Sequence, residues 1–333
     1  MRSAMLRRVT AAAAVLALTA CGSDRTLAAA PGGAAPSPSG STPSLAPSSG
    51  SPSPGSPSSG PPSTGSPAPA PAAQAQLPLG GTRIFPAYRV VAYYGTAGTG
   101  ALGVLGEGSP DAMLPKLRGA AKGFAGSRRV QVAYELIASV AQGSAGPDGN
   151  YSKMISTGKI QQYVDQAKRN KVLVILDLQP GRGAFLPQAK ALERFLVQPH
   201  VGIALDPEWR MPPGKVPGKT IGSVSPAEVN RVSAYVAGLV EQHHLPEKLF
   251  VLHQFRPSML PDVQQIQKRP GLAMVQHVDG FGTRSEKNAT WARIKRPQQF
   301  HLGYKLFYDE DVHRYAAADV LKFKPVPELV SFQ

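Results

Sequence analysis

The stretch Val201-Gly202-Ile203-Ala204-Leu205-Asp206 has the composition of a buried β-strand, and Ser225-Pro226-Ala227-Glu228 follows it along the chain. In the second stretch Ser suits a helix cap, Pro suits the first helical position, and Glu three residues after the cap completes a capping box. Apolar residues then recur at helical spacing, at Val229, Val232, Val236, Leu239 and Val240. The two stretches together predict one strand followed by one amphipathic helix.

The same alternation of strand and helix extends on both sides of this unit. Besides 201–206, strands are predicted at residues 89–94, 130–138, 172–178, 249–255, 272–279, 300–308 and 328–332. Seven helices are predicted between the strands, starting near Pro110, Lys159, Pro187, Pro226, Pro261, Glu286 and Asp311. Eight strands and seven helices over about 250 residues predict an α/β fold of the (β/α)8 TIM-barrel type. A doubly wound sheet is the alternative, but no GxGxxG spacing follows the first strand.

The eighth predicted strand is followed at once by Gln333, so no residues are left for an eighth helix. We expect the segment before the first strand to cover that side of the barrel.

The first 80 residues differ from the rest in composition. Three Arg precede an apolar run of about ten residues, which is the length of a signal-peptide core and too short for a membrane span. Residues 22–79 are almost only Pro, Ser, Gly, Ala and Thr, so they lack the apolar surface that would offset the entropy of ordering. We predict a signal peptide at 1–20, a disordered tether at 21–80 and a barrel domain at 83–333.

The signal peptide ends in Leu18-Thr19-Ala20-Cys21-Gly22, which closely resembles the lipobox of bacterial lipoproteins. The resemblance implies cleavage before Cys21, lipid on its sulfur and new amino group, and anchoring to the outer face of the cell membrane, which is an extracytoplasmic location. An ordinary secretory signal with a chance cysteine is the alternative. Because Cys21 is the single cysteine of the chain, an internal disulfide and a zinc site built on thiolates are excluded.

The net charge of the chain is +15, from 36 Lys and Arg against 21 Asp and Glu. The basic residues do not alternate with aromatic ones, and nucleic acid is not an expected partner outside a membrane. Anionic wall polymers or lipid headgroups fit this charge better, and a merely soluble basic surface is the simpler alternative.

Chemistry in such barrels takes place at the carboxyl ends of the strands. The side chains predicted to bind substrate there are Tyr94, Glu135, Asp177, Trp209, His253, Asp279, Tyr304 and Asp309. Glu135 and Asp177 could instead pair with Arg in the core, and Asp279 before Gly280 could belong to a tight turn.

The end of the fourth predicted strand carries two carboxylates, Asp206 and Glu208. The strand period of two places both on one face with Gly202 and Ala204. Repulsion between them should raise one pKa, and an acid beside an ionised partner is what glycosidic cleavage needs. Trp209 could stack on a sugar ring. Alternatively, Asp-Pro-Glu begins a turn, and its carboxylates cap backbone amides.

This Asp-x-Glu at the end of strand four resembles the motif of two groups of barrel glycosidases, the chitinase type and the muramidase-type lysozymes. The resemblance implies that Glu208 is the catalytic acid and that Asp206 supports it. The chain departs from both patterns. Ala204 and Gly202 stand where the longer chitinase motif has Asp, and the first strand does not begin with the Asp of the lysozyme type. In another clan of barrel glycosidases a strand-seven carboxylate is the usual nucleophile, which keeps Asp309 and Glu310 as reserve candidates.

Other chemistries have less support in the sequence. The first strand lacks the His-x-His of metallohydrolase barrels, and no Gly-x-Ser-x-Gly elbow occurs. We therefore predict neither a metal nor another cofactor. The predicted function is hydrolysis of an envelope or extracellular polysaccharide by carboxylate acid/base catalysis. The alternative is a non-catalytic glycan-binding or envelope-associated barrel.

Overall fold

The computed structural model describes residues 74–333. The predicted signal peptide, the lipidation site at Cys21 and most of the predicted tether lie outside these residues. The nine strands are β1 Tyr88–Gly95, β2 Arg129–Ala141, β3 Ser152–Met154, β4 Leu173–Leu178, β5 Val201–Leu205, β6 Lys248–Gln254, β7 Leu272–Val278, β8 His301–Leu306 and β9 Leu329–Phe332.

Eight of these strands form a closed parallel barrel. Neighbours along the sheet follow the order β1-β9-β8-β7-β6-β5-β4-β2, and pairing of β1 with β2 closes the ring. The predicted (β/α)8 barrel is therefore confirmed, and each of its eight strands matches one predicted strand. The ninth strand, β3, was not predicted, and it pairs antiparallel with the extended end of β2.

Seven α-helices pack around the barrel. They are α1 Pro110–Ala121, α2 Thr157–Asn170, α3 Phe185–Ala191, α4 Glu193–Leu196, α5 Pro226–Gln242, α6 Arg284–Ile294 and α7 Ala317–Val320. The helix predicted near Pro261 is replaced by two 3-10 turns, Pro257–Met259 and Val263–Gln265. The last helix begins six residues after the predicted Asp311.

The helix α5 begins where the sequence predicts, but only half of the capping box forms. The Oγ of Ser225 accepts a hydrogen bond from the backbone N–H of Glu228 at 3.3 Å. The Glu228 carboxylate turns away and accepts from the backbone N–H of Phe185, at the start of α3, and from Arg210. It thereby joins α5 to α3 and to the loop after β5.

Two apolar cores follow from the alternation of side chains along each strand. Outward side chains pack against the helices. Inward side chains fill the barrel, where small residues such as Ala92, Ala133 and Ala204 lie beside larger ones such as Ile175 and Val251.

The segment before β1 closes the amino-terminal end of the barrel, not the side where an eighth helix is missing. Leu77, Ile84 and Phe85 join the inner core, so the barrel domain includes residues before Arg83. The outer face of β9 is covered by Phe124, whose ring lies 6.0 Å from that of Phe332. The described part of the first segment, residues 74–87, therefore joins the inner core and does not cover this side as expected.

Within residues 74–333, none of the helices has both the length and the apolar character needed to cross a lipid bilayer.

Candidate functional site

The carboxyl ends of the barrel strands carry a ring of polar side chains above the apolar layers. Side chains with a period of two alternate between the inside and the outside of the barrel, and the last inward position at each strand end is polar. In strand order these residues are Tyr94, Glu135, Asp177, Asp206, His253, His277, Lys305 and Ser331, and all are buried. Asp279, just after β7, joins them through its contact with His253.

His253 lies at the centre of this site between carboxylates. Its Nδ1 is 2.9 Å from Oδ2 of Asp279, and its Nε2 is 3.1 Å from Oε1 of Glu135 and 3.8 Å from Oδ1 of Asp177. Burial and Lys305 act to lower the pKa of His253, but Asp279 and Glu135 raise it well above its usual range. The carboxylates around the ring therefore favour its protonated form.

The charge of His253 keeps two of its neighbours ionised. Burial alone would raise the pKa of Glu135, but hydrogen bonding and attraction from His253 lower it to about 2. The pKa of Asp279 is lowered in the same way, against its burial. Burial raises the pKa of Asp177, and the charges of Asp206 and Glu135 add to this effect while that of His253 opposes it.

Lys305 supplies the second cation of the site. Its Nζ lies 3.6 Å from the centre of the Tyr94 ring and 3.8 Å from Oδ2 of Asp279. The hydroxyl of Tyr94 donates to Oδ2 of Asp177 at 3.0 Å and accepts from Nε2 of Gln179 at 3.2 Å. Tyr94 thus links Lys305 to the carboxyl group of Asp177.

Asp206 and Glu208 lie at the mouth in a turn rather than on a continuing strand. The strand β5 ends at Leu205, and Pro207–Trp209 form a 3-10 turn whose N-cap is Asp206. Oδ1 of Asp206 accepts from the backbone N–H of Glu208 at 3.3 Å. The turn of the alternative interpretation is therefore present, although of the two carboxylates Asp206 alone caps a backbone amide among residues 74–333, and the strand face predicted for both residues ends before Glu208.

The pKa values of both carboxyl groups are raised toward neutrality. Burial and then repulsion from Asp279 raise the pKa of Glu208 to about 7, against attraction from Lys305 and His253. Burial also raises the pKa of Asp206 to about 7, with Glu208 adding to the effect and His253 opposing it. Because Glu208 is partly exposed while Asp206 is buried, Glu208 is the carboxyl group that a molecule at the mouth can touch.

The structure brings most of the predicted site residues together, and it separates two of them. Tyr304 points away from the barrel interior, with its ring 5.0 Å from that of Phe323 and 5.6 Å from that of Trp291. Asp309 is exposed on the loop after β8. Trp209 is partly exposed in the turn with Glu208.

Lys305, His277 and Ser331 belong to the site but were absent from the predicted set. Gly303 is the residue that could have identified Lys305. A small residue there suggests that position 303 faces the crowded barrel interior, and Lys305, two residues later, then faces inward as well. A Cβ atom on Gly303 would lie 2.1 Å from Nδ1 of His277, so the barrel interior leaves no space for a side chain there.

Three of these residues could hold a metal ion, although the sequence predicts none. Ligand atoms of Glu135, His253 and His277 lie within 4.8 Å of one another. Oε2 of Glu135, Oδ1 of Asp177 and Nδ1 of His277 are buried without a hydrogen-bond partner, whereas Oε1 of Glu135 lies 3.1 Å from Nε2 of His253. Imidazole and carboxylate groups suit zinc, manganese or iron.

Comparison with known proteins finds likeness at the level of fold. No family model matches the chain, and no curated protein matches its sequence. A GH5 xyloglucan-specific endo-β-1,4-glucanase from a metagenomic library, solved with cellotriose, is similar with 10% identity and a TM-score of 0.37, over 66% of this chain and 77% of the glucanase. An immunomodulatory chitinase from Trichuris suis is similar with 12% identity and a TM-score of 0.33, over 65% of this chain and 66% of the chitinase.

Proposed function

We propose that this protein hydrolyses glycosidic bonds of an envelope or extracellular polysaccharide, with Glu208 as the general acid. The observation that carries the proposal is the division of carboxyl groups at the barrel mouth. Asp206 and Glu208 have pKa values raised to about 7, whereas those of Glu135 and Asp279 are lowered. Carboxyl groups whose environments push their pKa values apart are the usual basis of paired acid and base roles.

In the proposed reaction, protonated Glu208 gives its proton to the glycosidic oxygen. The bond between that oxygen and the anomeric carbon breaks, and its electron pair stays with the leaving sugar. Positive charge develops on the ring, and ionised Asp279 would stabilise it across the mouth. Water then adds to the anomeric carbon and loses a proton, which restores the acid. Asp206 positions Glu208 through the hydrogen bond to its backbone N–H.

Glu208→Gln tests this assignment against the alternative of a barrel that only binds glycan. The purified protein is incubated with a panel of cell-wall and capsule polysaccharides, and new reducing ends are measured beside retention of each polysaccharide. If Glu208 is the acid, the variant loses turnover by at least about a hundredfold and keeps binding. Turnover that persists in the variant would exclude Glu208. Binding without turnover in the native protein would favour the binding function.

A second candidate is metal-assisted hydrolysis at Glu135, His253 and His277. The unpaired buried atoms of these residues favour it, because a divalent cation would satisfy them together. A bound metal would supply a Lewis acid or an activated water. Elemental analysis of the purified protein, compared with a His253→Gln variant, tests the candidate. A stoichiometric metal that the variant lacks would support it, and an equal trace in both would exclude it.

We also propose that the protein is a lipoprotein anchored through Cys21 on the outer face of the cell membrane. The lipobox-like stretch Leu18–Gly22 supports this location. Incorporation of labelled palmitate into the native chain but not into Cys21→Ser would support the anchor. Label in both chains would exclude Cys21 as its site.

A further inference from the structure

The amino-terminal end of the barrel, opposite the acidic mouth, carries a cluster of basic residues around the segment 74–83. A cavity of about 850 Å³ lies on one side of this segment, and its cationic lining residues are Arg83, Arg128, Lys268 and Arg269. A second depression of about 330 Å³ is also lined by part of this segment, Leu79, together with Arg118, Lys122 and Lys171. Both cavities therefore border the place where the chain enters the domain.

Few carboxylates oppose these cations. The second depression has no acidic lining residue, and the first has two, Glu247 and Glu328. The Glu247 carboxylate accepts hydrogen bonds from the backbone N–H groups of Ile84 and Phe85, and Glu328 is bound by Arg128 and His301. Among the described residues, the other six cations form no ion pair, and all of them except the partly buried Arg269 are exposed.

The apolar surface of the domain is placed differently. The exposed large hydrophobic residues of residues 74–333 are Phe281, Tyr308 and Val312, and all three follow strands at the mouth. The basic end therefore offers charge and shallow cavities without an apolar wedge. Such a surface fits a layer of phosphate groups, which it would contact from outside without insertion.

We propose that this basic end docks on the surface of an anionic lipid bilayer. The inference goes beyond the proposed hydrolysis and does not depend on it. Three observations favour a bilayer as the occupant. The cations are spread over two cavities rather than gathered around one ligand, the segment 74–83 lines both cavities through Gln74 and Leu79, and the buried carboxylates lie at the opposite end. A negatively charged membrane would attract the basic end and turn the mouth outward, toward polymers outside the cell.

The test uses residues 22–333, which lack the predicted signal peptide and Cys21, so that neither an apolar leader nor a lipid anchor contributes to binding. Cosedimentation is measured with vesicles of pure phosphatidylcholine and with vesicles containing about a third phosphatidylglycerol, at low and high salt. We expect binding to the anionic vesicles alone, weakened by salt. Arg83→Glu with Lys268→Glu should weaken it by at least about tenfold, because each basic residue near the surface contributes about 1 kcal/mol.

A matched double variant at the other end of the barrel, Lys153→Glu with Lys159→Glu, changes the net charge by the same amount. Both lysines are exposed, and they lie on β3 and at the start of α2, near the mouth. We expect this control to bind as the parent does. An equal loss of vesicle binding in both double variants would show that binding depends on net charge alone, and it would overturn the proposal. Binding to neutral vesicles, no binding to anionic ones, or a preference for soluble polyphosphate over vesicles would overturn it as well.

Discussion

Lys248 makes the stability of the barrel depend on pH. Its side chain is 1% exposed, and Nζ donates to the backbone carbonyls of Gln198 at 2.7 Å and Val201 at 2.8 Å. No carboxylate forms an ion pair with it among residues 74–333. Burial lowers the pKa of Lys248 to about 7. We predict that Lys248→Met removes a pH-dependent cost of folding.

The sign follows from the protons bound in each state. In the unfolded chain the pKa of a lysine is about 10.4, so between pH 7 and pH 10 the unfolded chain binds a proton that the folded protein does not. The cost is therefore complete below pH 7, declines as pH rises, and ends above the unfolded pKa. Integrating this difference from pH 7 to pH 9 gives a gain of about 2 kcal/mol in the free energy of unfolding of the native protein relative to the variant.

Urea denaturation at pH 7 and pH 9 measures this difference. Loss of the two hydrogen bonds of Nζ and any change in packing shift the variant by an amount that does not depend on pH, so the change with pH isolates the titration. Lys322→Met, on the exposed surface, is the control, and it should follow the native protein at both pH values. If the native protein and Lys248→Met differ by the same free energy at both pH values, Lys248 keeps its charge in the folded state and the reasoning is refuted.

Four further predictions address the site and the barrel. If Glu208 is the acid, kcat/KM should fall tenfold per pH unit above about pH 7, and a pH profile flat from 6 to 9 would contradict its role. Lys287→Met leaves Asp311, its partner at 2.9 Å, as an unpaired buried charge. The free energy of unfolding measured by urea denaturation should therefore fall by about 3–5 kcal/mol. A fall below about 1 kcal/mol would contradict the pairing. Gly202→Ala places a Cβ 2.5 Å from the carbonyl oxygen of Leu249 and should destabilise by about 1–3 kcal/mol. Gly238→Ala, with open space in α5, should instead stabilise by about 0.5–1 kcal/mol in the same assay.

The barrel could be predicted because its determinants are local. Apolar runs mark each strand, and caps such as Ser225 mark several helices. The order and number of the barrel strands therefore follow from the sequence. The strand β3 could not be predicted, since its three residues carry no apolar pattern and depend on the extension of β2. The helix predicted near Pro261 does not form. Asp262 adopts a left-handed backbone conformation, with φ of 48°, which interrupts a helix.

The sequence predicts that the site lies at the carboxyl ends of the barrel strands. It does not predict which way every side chain points. Tyr304 and Lys305 are adjacent, and one of them must face the helices. The residue types alone do not decide which one faces the helices, because a Tyr suits a sugar site and a Lys suits a surface. The close contact between Gly303 and His277, on neighbouring strands, decides which residues of β8 face inward. This contact depends on the folded barrel. Glu208 was predicted to lie at the mouth because it was placed on the same strand face as Asp206. The strand ends before Glu208, but the turn after Leu205 also brings it to the mouth.

Burial is the main cause of the raised pKa of Glu208, and the charge of Asp279 adds to it. His253 pairs with Glu135 and Asp279, and Lys305 lies 3.8 Å from Asp279. Asp206 and Glu208 form no ion pair among residues 74–333, so the nearby cations offset the effect of their burial only in part. A divalent cation at Glu135, His253 and His277 would reverse this balance and lower the pKa of the nearby carboxyl groups. A lower pKa would leave less of Glu208 protonated at neutral pH. Proton donation by Glu208 and hydrolysis assisted by a metal at this site would therefore oppose each other, and the metal content of the purified protein distinguishes them.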